Sequence, residues 1–227
     1  MSHTSRATNR ASRRLSNPEE RETLIIAVAL EVFGERGLHA TRLTHVARRA
    51  QLSTATLKRY FPNTAALFRE AVRQTVIAAL PLATGENGSA GATHMLLQLS
   101  SMCWTLMRSP RFVILQRLVL ADLRAAPELS HLFIGEVVTP LCRMAERIIG
   151  IGMERGEFRA VSAPAAARFM ISTLLAQSLW YGHPEFFHAA TNFSETCALG
   201  EMQELLLRCL RGDGGWPFPP PLLHRGD

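Results

Sequence analysis

Apolar positions recur at intervals of three and four along most of the chain, and no segment sustains an alternation of period two. The pattern predicts an all-α protein. Ile25, Val28, Ala29, Val32 and Phe33 make the apolar stripe of a first helix. Asn17 is placed to cap it, Pro18 suits its first position, and Glu19 and Glu20 face the positive end of its dipole. Gly37 is placed to end it in the left-handed conformation. A second helix is expected over Arg42 to Ala50, with Thr41 as its cap and Leu43, Val46, Ala47 and Ala50 on one face. Ser53 is expected to cap a third helix that runs to about Tyr60 and buries Leu57 and Phe61. Asn63 is expected to cap a fourth that runs through about Leu80. Further helices are expected near 92–108, 111–125, 128–155, 164–181 and 192–211, with Pro140 kinking or breaking the third of these.

The interruptions in this pattern divide the chain. Residues 1–16 are Ser- and Arg-rich and read as a disordered basic arm. Residues 17–62 hold the three short helical patterns and read as a helix-turn-helix domain. Residues 63–211 read as a larger helical domain, entered through a connecting helix over 63–81. The stretch ATGENGSAG (Ala83–Gly91) is a loop, and residues 212–227, dense in Pro and Gly, read as an irregular tail.

Charge sharpens this division. The net charge is +6, and residues 1–62 carry eleven basic and five acidic side chains, whereas residues 63–227 carry fourteen of each. The whole positive excess therefore lies in the first quarter, which suggests a polyanionic partner there. The longest apolar run, Leu24 to Leu30, is far short of the ~20 residues of a membrane-spanning helix. The start of the chain has no apolar segment of the kind a secretory signal carries. The four cysteines are scattered, without a CxxC pair. A cytoplasmic chain with reduced thiols, no membrane partner and no cofactor is the expectation.

The segment LTHVARRAQLSTATLKRYF (Leu43–Phe61) has the form of two short helices about a tight turn. Small Ala47 stands where the helices cross, and Leu52 and Leu57 can lock the pair. Thr54, Ala55, Lys58 and Arg59 point outward, with Thr56 near the start of the second helix; such side chains suit bases and phosphates. A compact hairpin of core helices has the same rhythm, so the hairpin alone leaves both readings open.

The flanking residues favour DNA. VFGERGLHATRLTHVARRAQLSTATLKRYFPNTAALF, within residues 21–68, resembles the DNA-binding domain of TetR-family transcriptional regulators. In that family an apolar-Phe-x-Glu-x-Gly helix end precedes a Thr-led helix, a turn and a Ser-x-Gly-Thr-Leu-Tyr block. RLVLADLRAAPELSHLF (Arg117–Phe133) and ERGEFR (Glu154–Arg159) are similar to the C-terminal domain of AefR-like members. The chain departs from the pattern at Gln51, where the turn usually has glycine, and at Ala55, which also replaces glycine. Asn63-Thr64-Ala65 stands for Ser-Lys-Glu. Lys58, the only lysine of the chain, stands at a tyrosine that in the family touches the phosphate backbone.

The resemblance implies that Thr41, Arg42, Thr54, Thr56, Lys58, Arg59 and Tyr60 face a double-stranded DNA operator. Thr41 and Arg42 match the phosphate-binding start of the second helix. Arg48 and Arg49 either reach phosphates or form a solvated face. In the second domain Trp104, Met107, Phe112, Met144, Phe169, Met170, Gln177 and Trp180 are candidates for lining the pocket of an unknown small-molecule ligand, or for plain core. His183, Glu185 and His188 lie close together, but their spacing does not suit a metal site. The helices near 164–181 and 192–211 are assigned by the resemblance to a homodimer interface.

The implied function is a ligand-responsive homodimeric regulator, a repressor released from a palindromic operator by a small molecule. The alternatives are a transcriptional activator and a helical adaptor with lost or weakened DNA binding. The chain has no GxSxG, Walker, HExxH or GxGxxG motif, so no catalytic residues and no enzyme activity are expected.

Overall fold

A computed structural model describes residues 17–77, 90–122, 127–181 and 195–212. The basic arm, most of the 83–91 loop, the His183–His188 group and the tail beyond residue 212 lie outside these. The described residues are helical, with no strand among them. The helices are α1 (Pro18–Arg36), α2 (Leu43–Arg49), α3 (Thr54–Tyr60), α4 (Thr64–Ile77), α5 (Ala92–Met107), α6 (Pro110–Asp122), α7 (Pro127–Phe133), α8 (Thr139–Glu154), α9 (Ala163–Tyr181) and α10 (Glu195–Arg211).

Three of the expected N-caps form as their side chains predict. Asn17 Oδ1 accepts from the Glu19 N–H at 3.1 Å, Ser53 Oγ from the Thr56 N–H at 2.9 Å and Asn63 Oδ1 from the Ala66 N–H at 2.7 Å. Gly37 has φ of 77°, and its N–H returns to the Phe33 carbonyl. Pro140 acts through the helix before it: Ile134–Val138 is a π-helical segment between α7 and α8. Proline has no N–H for the carbonyl four residues back, and the wider turn is seen where the Thr139 N–H reaches the Ile134 carbonyl instead.

The middle of α1 is apolar over most of its circumference, and Ile25, Ile26, Val28, Ala29, Leu30, Val32 and Phe33 are all buried. This helix packs on α2, α4 and α6 at once. The Phe33 and Phe68 rings meet edge-on, with centroids 5.9 Å apart, and Gly34 lies under the Ile114 side chain of α6. Each such large apolar side chain contributes about 1.5–3 kcal/mol by leaving water. In the second domain α8 packs against both α5 and α9. A Cβ on Gly152 would stand 2.1 Å from the Phe158 ring, so this glycine lets the loop after α8 fold back onto the helix. Cys103 is buried, and loss of water pushes its thiol up to about 12, with Cys142 nearby adding a little. It is packed as a small hydrophobe.

One carboxylate closes the start of α5. Glu157 accepts from the Ala92 N–H at 2.8 Å and the Thr93 N–H at 2.9 Å, in place of the local cap that Gly91 cannot supply. The Arg155 guanidinium donates to the Ala90 carbonyl beside it. The Thr93 and then the Ala92 backbone N–H hold the Glu157 carboxyl below its usual value. A lowered folded value means that the carboxylate stabilises the fold above the unfolded pKa, and that this stability is lost as pH falls through the folded value. Glu157→Ala is expected to remove about 1 kcal/mol at neutral pH, a fall of about 2–4 °C in thermal midpoint. The gap between the two proteins should close in melts taken well below pH 4.5, the ordinary value of this carboxyl; a gap that persists there would show that the cap is not the cause.

Candidate nucleic-acid interface

The turn between α2 and α3 is a Schellman closure built on a residue other than glycine. Gln51 has φ of 56°, the only positive φ outside glycine among the described residues. Its N–H donates to the Arg48 carbonyl at 3.2 Å, and the Leu52 N–H donates to the Ala47 carbonyl at 2.9 Å. Leu52 then packs on the core, and Ala47, Leu57 and Phe61 are buried between the helices. Ser53 starts α3 immediately afterwards, so four residues turn the chain from one helix into the next.

This turn fixes which side chains α3 displays. Ala55, Lys58 and Arg59 are exposed and Thr54 is half-buried. Thr56 and Tyr60 are less available than expected. The Thr56 hydroxyl lies 2.7 Å from Ser53 Oγ, within the cap itself, and Tyr60 is half-buried against the core.

The start of α2 corrects the expectation for Thr41. Its side chain is 4% exposed, and its hydroxyl donates to the Gly37 carbonyl at 2.7 Å. Thr41 is neither the cap of α2 nor a displayed side chain; it fastens the loop to the end of α1. The cap position belongs to Arg42, which is exposed. The Arg42 N–H donates to His45 Nδ1 at 3.2 Å, so a side chain from inside the helix satisfies the entry. The role of His45 was not anticipated, although its position three residues past the cap is where a reciprocal partner is expected.

The two arginines at the end of α2 differ. Arg49 is paired with Glu35, and its Nε lies 3.9 Å from Glu31, which ties α2 to α1. Arg48 is exposed. Arg42, Arg48, Lys58 and Arg59 are thus the exposed cations of the α2–α3 hairpin other than the paired Arg49, and the hairpin carries no acidic side chain. Cations of this kind suit a phosphate backbone, and small or hydroxylated residues on α3 leave room for base edges.

The second domain holds a cavity of about 720 Å³ along one face of α5, where Gln98, Ser101 and Thr105 meet Thr75 of α4, Arg111 of α6 and Gln203 of α10. Of the eight expected ligand residues, none of the seven with described side chains lines it. Trp104, Met107, Phe112 and Met170 are buried core, and Met144 packs half-buried against that core. The Phe112 and Phe133 rings meet at a tilt of 54°, and Arg108 lies over the Trp104 ring. Gln177 is half-buried, Phe169 is exposed, and the Trp180 side chain lies outside the described residues. The spacing that made these residues candidates is the spacing of a helix's core face, and the core took most of them.

Comparisons with known proteins place this geometry. Residues 25–71 match the family model of bacterial regulatory proteins of the tetR family, and residues 94–196 match that of the AefR-like transcriptional repressor C-terminal domain. No curated protein sequence matches the chain. Among solved structures, the fatty acid degradation regulator FadR of Bacillus halodurans is 18% identical, with a TM-score of 0.68 over 86% of this chain and 97% of its own. FadR of Bacillus subtilis, solved with stearoyl-CoA, is also 18% identical, with a TM-score of 0.68 over 83% of this chain and 99% of its own. A tetR-family regulatory protein of Rhodococcus RHA1 is 21% identical, with a TM-score of 0.66 over 84% and 97%. At these identities the solved structures establish the fold.

Gln51 supplies a test of the turn. A left-handed backbone costs a side chain with a Cβ about 1–2 kcal/mol, part of which glycine returns through its freer unfolded chain. Gln51→Gly is expected to raise stability by up to about 1 kcal/mol in thermal or urea melts. A loss of stability would mean that the Gln51 side chain makes a compensating contact.

Proposed function

We propose that this chain, which belongs to the TetR family of bacterial regulatory proteins, is a ligand-responsive repressor that acts as a homodimer on a palindromic operator. The observation that carries the reading is the α2–α3 hairpin: its closed turn holds Lys58 and Arg59 outward on a seven-residue helix beside exposed Arg42 and Arg48. In this reading α3 enters the major groove, and Arg42 and Lys58 meet phosphates on either side. Lys58 does as a point charge what an aromatic hydroxyl does elsewhere in the family. Thr54 and Arg59 face bases, whereas Thr41, Thr56 and Tyr60 hold the hairpin in shape.

The repressor sense is supported by the AefR-like repressor C-terminal model that the second domain matches. Control by a small molecule is supported by the cavity on α5, and a neighbour of the same fold holds stearoyl-CoA. That cavity touches Thr75 of α4 and Arg111 of α6, and both helices pack on α1. A ligand that fits one arrangement of these helices better than another shifts the spacing of the two DNA-reading modules by its difference in affinity. Dimerisation is supported by α9 and α10, on which Phe169 and Leu205 each remain 62% exposed. A second copy packed there would take both large apolar side chains out of water.

Gel shifts on the DNA flanking the protein's own gene are expected to show salt-sensitive, sequence-specific binding. Equal affinity for scrambled DNA would overturn the reading. Lys58→Ala should weaken binding across sequences and reduce the slope of log affinity against log salt by about one; an unchanged slope would remove Lys58 from the phosphate contact. Leu205→Glu should shift the protein from dimer to monomer in light scattering and weaken operator binding with it. A dimer that survives both Leu205→Glu and Phe169→Glu would place the interface elsewhere.

A further inference from the structure

The cavity on α5 has an uneven lining. Leu97, Met102 and Leu106 give it an apolar wall. One end carries Ser109 and Arg111, the cap and first turn of α6. No carboxylate is among its described lining residues, and Arg111 forms no ion pair with any described residue. This contrasts with Arg49, Arg73 and Arg208, each of which has a glutamate partner.

The lining is also fixed in place. Gln203 Nε2 donates to the Leu97 carbonyl at 3.2 Å, to Ser100 Oγ at 2.8 Å and to Ser101 Oγ at 3.0 Å, which joins α10 to α5 across the cavity wall. Its amide N–H groups are thereby spent on the protein. The Thr75 hydroxyl is spent likewise on the Ala71 carbonyl. His94 and Gln98 also bring donors to the lining, and the permanent positive charge among the described lining residues is the Arg111 guanidinium.

Building on the ligand-responsive reading above, we infer that the effector is an amphipathic organic anion whose carboxylate or phosphate pairs with Arg111 while its apolar body lies on Leu97, Met102 and Leu106. A guanidinium presents a planar fork that matches either headgroup with two hydrogen bonds. A neutral apolar ligand in the same place would strip water from the cation and return nothing. A cationic ligand would meet Arg111 with no counter-charge among the described lining residues. A volume of about 720 Å³ admits a molecule of drug size, longer than a bare inorganic ion requires.

Three ten-carbon probes separate the chemistry: decanoate, decyl phosphate and decanol, titrated into the full-length protein by calorimetry without DNA. At least one of the two anions is expected to bind about tenfold or more tighter than decanol, and which one does identifies the headgroup. Arg111→Met should abolish that preference while leaving the melting curve unchanged, because the side chain is exposed and unpaired within the described fold. Leu97→Trp, which fills the cavity, should weaken all three probes. Decanol binding as tightly as the anions, a preference that survives Arg111→Met, binding untouched by Leu97→Trp, or no binding at all would each overturn the inference. The measurement contains no DNA, so its failure is distinct from failure of the operator assay, which contains no ligand.

Discussion

The structure depends on the burial of α1. Its middle is apolar nearly all the way round, so no single neighbour can cover it, and α2, α4 and α6 each take a side. The same helix is therefore the core of the DNA-facing hairpin and the surface on which the second domain bears. Interiors pack as densely as organic crystals and do not deform continuously. A displacement of α6, whose Ile114 bears on Gly34, must be taken up by α1 as a body, and the hairpin fastened to α1 through Arg49, Glu35 and the loop at Thr41 must follow.

A second constraint lies at the far end. The loop after α8 gathers the start of α5, through Glu157, and the end of α10, where Arg159 donates from its N–H to the Leu210 carbonyl and from Nε to the Cys209 carbonyl. Gln203 binds the same two helices further along. The walls that α5 and α10 give the cavity are thus tied together, while α4 adds Thr75, whose hydroxyl bonds within its own helix, and α6 adds Arg111. A ligand there meets one stiff side and one side that leads to α1.

Local chemistry made the N-terminal third readable. Asn17, Ser53 and Asn63 cap helices because a short acceptor side chain before an apolar run has few other uses, and Gln51 stands out because the turn demands a positive φ whatever residue fills it. Thr41 was misread because a hydroxyl before a helix can bond backward as well as forward, and the choice depends on where the Gly37 carbonyl lies. The π segment before Pro140 follows the same logic: the missing N–H was visible, the form of the accommodation was not. The cavity was hidden for a different reason. Its lining is largely short polar side chains and ordinary leucines, drawn from four helices, and only packing brings Thr75, Ser101, Arg111 and Gln203 together.

Lys58 is the chain's only lysine, and it stands exposed on α3. It is therefore the sole side-chain primary amine among the residues of this sequence. Acylating agents and aldehydes, which seek amines, find their side-chain target on the very helix assigned to DNA, and converting it to an amide removes the charge placed there. The reactivity of one atom, Nζ, can then serve as a gauge of whether that face is open or covered, with no substitution in the sequence.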